Sequence, residues 1–293
     1  MLTEAFLGQL RTLALSSPRR HRGTTTGERR SVKRGRSVEF ADYRNYTPGD
    51  DPRRVDWNVY ARLERPVIKL YEDEEDLSVH LLLDQSASMF WKPEDATRAE
   101  KFERAADLIG ALGYVALASG DKVTVHTSTG QQFGPKRGIV TFAELIAFVE
   151  RVKQSAPNSR LSLNGWLKAY AQRARPGLCI LASDLLDEAG AAEGLAALGA
   201  ARLDVSVLHT LCPEELDPQL SGDLRLKDVE TNAMQDLSMD DIVLSQYRQR
   251  LADWSAEIAS VCRKRGGRYY LTDTSQPVEQ ILVRDLRKEG WLF

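Results

Sequence analysis

The sequence predicts an α/β protein, a doubly wound, mostly parallel sheet with helices on both faces, and three observations carry that expectation. Val79–Leu83 is an almost unbroken apolar run, interrupted only by His80, as suits a strand covered on both faces rather than one with a wet face. Leu178–Ser183 repeats the theme, and the two runs end on carboxylates, Asp84 and Asp184. Between and after them, apolar residues recur at helical spacing, as in Phe102, Ala105, Leu108, Ile109, Leu112 and Val115. Strands alternating with helices in this way build parallel sheets.

Taken in order, Leu2–Leu15 reads as a short amphipathic helix, and residues 16–35 as an irregular stretch rich in Arg, Thr and Gly. Residues 35–57 mix aromatics with charges around a Pro48-Gly49-Asp50 turn, and Ala61–Tyr71 is expected to contain a strand through Val67, Ile68, Leu70 and Tyr71. The body then follows. A helix over Ala96–Leu117 closes at Gly120-Asp121, a strand runs over Lys122–Thr127, and helices are expected over Phe142–Val152 and Leu163–Arg173. After the second carboxylate-ended strand come a helix over Ala191–Ala200, a strand over Val205–Leu211, a long helix over Ser245–Arg265 and a last strand over Arg268–Leu271. Between Cys212 and Asp240 the pattern breaks, and residues 223–230 alternate like a hairpin strand leaving the sheet.

Three regions result: a basic helix and arm over 1–34, a segment over 35–76, and the α/β body over 77–293 with an insertion near 213–240. The middle segment is too short for a core of its own, yet it carries Phe40, Tyr43, Tyr46, Trp57, Tyr60 and Tyr71, so it is expected to pack on the body. For Asp56-Trp57 the expectation is a buried ring with its indole N–H satisfied at a packing junction, and a direct contact with a partner is the alternative.

Composition narrows the function classes. The charged and apolar fractions, 28% and 42%, are those of a globular protein. No apolar run is long enough for a membrane span and the N-terminus lacks a signal-peptide core, so a cytoplasmic location is expected. Cys179, Cys212 and Cys262 are odd in number and widely spaced, which speaks against a disulfide framework or a zinc site. Residues 1–40 carry nine basic and three acidic side chains, so against an overall net charge of −2 the remaining chain is at −8. Such an arm suits nucleic acid or an anionic surface, but no aromatic lies between Leu7 and Phe40 on which a base could stack. Docking on acidic parts of the chain, such as residues 72–76, is the alternative, and nucleic-acid binding is not the expected role.

The chemistry concentrates at the first strand's end. In open α/β sheets ligands bind outside the carboxyl ends of the strands, and there Asp84, Ser86 and Ser88 offer oxygen donors at alternate positions. Oxygen donors suit Mg²⁺ or another hard divalent cation. The same residues also favour tight turns through their own backbone, so the two readings stand side by side. An aspartyl-phosphate phosphatase would need a carboxylate where Ser86 stands, and neither a G-x-S-x-G elbow nor a G-x-x-x-x-G-K-[ST] loop is present. His80, His126 and His209 lie in or at the end of strands and read as packed histidines.

Asp84-Gln-Ser86-Ala-Ser88-Met89 after an apolar strand, with Ser183-Asp184 ending a later one, resembles the metal-ion-dependent adhesion site of von Willebrand factor A domains. The wider pattern, Gly35 to Tyr46, Pro48 to Arg53, Val55-Asp56-Trp57, Ala61-Arg62, Cys212 to Leu216 and Asp228 to Thr231, resembles the bacterial domain-of-unknown-function 58 family. The resemblance implies a von Willebrand factor A-like body in which Asp84, Ser86, Ser88 and Asp184 attend a Mg²⁺ or similar ion. That site also calls for a threonine before the helix at Leu163. The best register puts Leu161 there, with Ser159 on one side and Ser162, the nearest hydroxyl, one residue off. The resemblance further implies a non-enzymatic, metal-dependent protein-binding module partnered by a MoxR-type AAA+ ATPase, an acidic side chain of the partner completing the ion's coordination. A metal-dependent hydrolase or phosphatase, or nucleic-acid binding through the arm, are the alternative functions.

Overall fold

The computed structural model describes residues 4–17, 40–71, 77–92, 100–157, 162–187, 190–229 and 233–293. The basic stretch over 18–39, the acidic run over 72–76, Ser159, Leu161, Glu230 and Thr231 lie outside the described residues. The chain divides into two compact units, one of residues 1–19 with 77–293 and one of residues 20–76.

In the larger unit, α1 (Glu4–Leu10) is shorter than the helix expected over Leu2–Leu15. The chain leaves the helix before Leu13 and Leu15, both of which are buried all the same. Leu15 bridges to Leu292, and Ala14 and Phe293 exchange backbone hydrogen bonds of 3.1 Å. Phe6, Leu10, Leu13 and Leu15 therefore belong to the core of the body.

The smaller unit, described over 40–71, pairs β1 (Phe40–Asn45) antiparallel with β2 (Val67–Tyr71). Between them sits α2 (Trp57–Leu63), a helix absent from the sequence reading. It starts because the Asp56 carboxylate accepts from Asn58 N and Val59 N at its N-terminus. Trp57 is 60% exposed and meets Tyr60 edge-on, with 5.8 Å between ring centroids, so the buried ring expected there is not found. Its place at the first position of a short surface helix keeps it outside the small core of Val55, Val67 and Ile68.

The body continues with β3 (Ser78–Leu83), α3 (Glu100–Ala118), β4 (Lys122–Thr127), β5 (Gln132–Arg137), α4 (Phe142–Lys153), α5 (Leu163–Ala171), β6 (Gly177–Ser183), α6 (Ala192–Ala200) and β7 (Leu203–Leu211). A short α7 (Pro213–Leu216) leads into the hairpin β8 (Gly222–Lys227) and β9 (Met234–Met239). Then α8 (Asp241–Arg263) and β10 (Tyr269–Asp273) complete the alternation.

The six-stranded sheet has the order β10-β7-β6-β3-β4-β5, parallel except for β5 at one edge. This is a doubly wound α/β fold with both faces covered. Val79, Leu81 and Leu83 of β3 face the core formed with α1, α3 and α4, while Leu82 faces the one formed with α5, α6 and α8. Ile180 and Leu181 of β6 divide in the same way, as the two-residue period of a strand requires. The edge strand β5 escaped the sequence reading because Gln132–Arg137 is polar and broken by Gly134-Pro135, as an exposed edge allows. The sheet also demands bare backbone at Gly267, where a Cβ would stand 1.6 Å from the Val205 carbonyl oxygen. Among the described residues no helix is long and apolar enough to cross a membrane.

From β3 the chain moves outward to β4 on one side and later to β6 on the other. The carboxyl ends of β3 and β6 therefore flank the point where the winding reverses, where such sheets bind ligands.

Candidate functional site

Asp84 and Asp184 follow those two strands and are 1% and 0% exposed. The backbone places them side by side, since Asp84 N donates to Ala182 O at 3.0 Å. Asp84 folds the following loop by accepting from Ser86 N at 2.9 Å, the Asx-type turn that these residues favour. A 3₁₀ turn over Ser88–Phe90 follows and buries Met89, whose Sδ accepts from Asp184 N at 3.2 Å. Gln85, fully buried, ties the loop to Thr129 and Ser155 through its side-chain amide.

Four of the five residues expected at the site form one chain of contacts. Asp84 Oδ2 lies 3.2 Å from Ser86 Oγ, Ser86 Oγ 3.1 Å from Ser88 Oγ, and Ser88 Oγ donates to Asp184 Oδ1 at 3.1 Å. Ser86 donates to Asp84 and Ser88 to Asp184, so each carboxylate accepts from one serine hydroxyl and the two hydroxyls stand next to each other. Burial, with the charge of Asp184 beside it, pushes the Asp84 carboxyl up to about 7, against the hydrogen bonds from Ser183 and Ser86. Ser162 is used elsewhere: its hydroxyl accepts from Gly165 N at 3.2 Å and caps α5.

The residue that the sequence reading missed is Lys101. Its ammonium, 1% exposed, donates to Asp184 Oδ2 at 2.9 Å and to Glu215 Oε1 at 2.6 Å. Burial pulls its pKa down, but Asp184 and Glu215 outweigh that and leave it raised, so it stays charged. A signal did exist: Lys101, Ala105, Leu108 and Leu112 share one helical stripe, and a lysine on an apolar stripe needs a buried partner. Glu215 is held in turn by Cys212, whose N–H and thiol donate to Oε2 at 3.0 and 3.1 Å. His209 completes the backing. Burial lowers its pKa to about 4, leaving it neutral, and Nε2–H donates to the Asp184 carbonyl at 3.0 Å while Nδ1 accepts from the Tyr269 hydroxyl. His80 is likewise a packed residue, its Nδ1 accepting from the Tyr170 hydroxyl at 2.7 Å.

The residues present do not fit a resident divalent ion. Asp184 already neutralises an ammonium, both Asp84 oxygens accept hydrogen bonds, and the third hydroxyl caps a helix. Among the described residues, no group of three or more His, Cys, Asp or Glu is arranged to hold a metal ion. Two unit charges ~4 Å apart interact by roughly 4 kcal/mol at an effective dielectric of about 20, and a divalent ion near Lys101 would double that repulsion.

Ser88, Lys101 and Glu215 line a cavity of about 510 Å³. Trp91 and Trp254 contribute aromatic wall, Leu186 and Val229 are exposed apolar residues along it, and Asp187 and Asp228 add carboxylates. The volume is that of a small-ligand or side-chain pocket, and the lining is acidic.

The model of the family described as "Protein of unknown function DUF58" matches residues 42–257, from β1 into α8. The chain belongs to the DUF58 family. Similar proteins include an uncharacterized protein of Mycobacterium bovis and one of Mycobacterium tuberculosis, each 25% identical over 261 residues, covering 88% of this chain and 81% of the relative. Among solved structures, an aerotolerance-related membrane protein from Bacteroides fragilis aligns over 72% of this chain and 99% of its own, at 16% identity and a TM-score of 0.41. BatB from Bacteroides thetaiotaomicron aligns over 73% and 98%, at 19% identity and a TM-score of 0.40. The match of this DUF58 chain to the family model takes in Asp84, Lys101, Asp184 and Glu215 alike.

Proposed function

We propose that this chain is a non-enzymatic protein-binding module that docks a partner over the carboxyl ends of β3 and β6, with a MoxR-type AAA+ ATPase as the partner. The observation that carries the reading is the cavity beside Asp184, floored by Ser88, Lys101 and Glu215, at the point where the winding reverses. Its two tryptophans and exposed Leu186 and Val229 supply the apolar area that a protein contact buries.

A second reading keeps the von Willebrand factor A-like ion, which would have to displace the hydrogen bonds that Asp84, Ser86 and Ser88 now make. What favours it is that the donors are all oxygen and that Asp84 is a buried carboxylate without a cation of its own. The experiment is calorimetry of the full chain with a MoxR-type ATPase of the same genome, repeated in EDTA. Binding that weakens at least tenfold in Leu186→Asp or Val229→Asp supports the docking site. Unchanged affinity in both variants removes the cavity from the interface, and binding abolished by EDTA favours the second reading. Turnover of ATP or of a phosphate ester that disappears in Asp84→Asn would replace the binding role with an enzymatic one.

A further inference from the structure

We propose that Lys101 is the built-in cation of this site: its ammonium takes the electrostatic role of a divalent ion, and the working protein uses the site without metal. The inference concerns the site itself and stands whether or not a partner docks there.

Three observations converge on it. Lys101 comes from the first turn of α3, whereas its two carboxylates follow β6 and β7, so a single ammonium joins separate elements at one point. Asp184 is shared between the ammonium and the serine loop, with Oδ2 on Lys101 and Oδ1 on Ser88. The charge of Lys101 therefore already bears on the hydroxyls that a metal would use. Finally, Glu215 is not a passing surface partner: Cys212 donates to its other oxygen twice, and the α7 backbone is held by the Tyr247 hydroxyl on Glu215 O at 2.5 Å. Lysine is almost never fully buried unless it is paired, and an ammonium offers three donors and no acceptor, which suits carboxylates gathered around it.

A metal and a buried ammonium sharing one carboxylate repel each other, so the two cations compete for the site. Removing the lysine charge then uncovers a divalent site built from Asp184, Glu215 and the two serines. The test is calorimetry and thermal melting of the full chain with Mn²⁺ and with Mg²⁺. The wild type is expected to show neither binding heat nor a melting shift at millimolar ion. Lys101→Gln is expected to melt lower, to gain Mn²⁺ binding, and to recover part of its melting temperature with the ion. That gain disappears when Ser86→Ala and Ser88→Ala are added.

Wild-type Mn²⁺ binding that is lost in Ser86→Ala and Ser88→Ala overturns the proposal, because ion and ammonium would then coexist. A folded Lys101→Gln protein that binds no Mn²⁺ also overturns it. If Lys101→Gln does not fold, the wild-type titration still decides, and Glu215→Gln supplies a second arm, since it keeps the ammonium and is expected to gain no Mn²⁺ site. A Glu215→Gln protein that binds Mn²⁺ as Lys101→Gln is expected to do would show that losing a neighbouring partner, not the ammonium charge, opens the site, and would sink the idea.

Discussion

Asp84 and Asp184 stand at equivalent places, each following a buried parallel strand at the reversal of the winding, yet their environments treat the charge in opposite ways. Asp184 meets a lysine ammonium, a serine hydroxyl and the backbone N–H of Leu186. Asp84 meets the hydroxyls of Ser86 and Ser183 and the Ser86 N–H, and no cation, so burial pushes it up to about 7. The lesson is that a strand-end aspartate acquires its character from what a distant helix brings to it. Burial alone favours the protonated acid, and a paired charge or donated hydrogen bonds oppose it.

The largest way to break this contrast is Lys101→Met, which leaves Asp184 and Glu215 buried without their cation. Removing one partner of a buried pair costs about 3–5 kcal/mol, which in a chain of this size lowers the melting temperature by roughly 10 °C. Scanning calorimetry should show that loss, and a shift of a degree or two would mean that Lys101 is dispensable to the body. Asp184→Asn is expected to cost less, about 2 kcal/mol, because Lys101 keeps Glu215 while one charge-assisted hydrogen bond is weakened. A urea titration that ranks it above Lys101→Met would reverse the roles assigned to the two residues.

Ser162→Ala separates the helix cap from the site. It should lose about 1 kcal/mol through the N-terminus of α5 while leaving partner affinity unchanged, and a selective loss of affinity would return Ser162 to the site.

The effect of Asp84→Asn depends on pH. The folded-state pKa of Asp84 lies above its unfolded value, so its contribution is fully present below about 4 and is lost as the pH rises to about 7. The Asn variant should match the wild type within ~1 kcal/mol near pH 4, gain on it up to about pH 7, and run parallel to it above. His80, His126 and His209, with pKa values lowered by burial to about 4, act in the opposite sense. They lend stability above about pH 6.5 that is lost as the pH falls through 4, and the difference between variant and wild type cancels them. A flat difference across this range would mean that Asp84 stays ionised in the folded protein.

Much of this was legible in the chain itself. Runs such as Val79–Leu83 and Leu178–Ser183 can be covered only by helices on both faces, so the alternation of strands and helices, and the place of Asp84 and Asp184 at strand ends, follow from local periodicity. Ser86 and Ser88 lie close enough in sequence to Asp84 for their cluster to follow as well. Tertiary structure alone decided the rest. Lys101 and Asp184 are 83 positions apart and Lys101 and Glu215 114, distances over which no periodicity carries information. Leu13 and Leu15 read as helix but are buried as extended chain because the C-terminus offers them a backbone partner. Which strand-end aspartate meets an ammonium depends on where the α3 helix delivers Lys101, and only the packed fold sets that position.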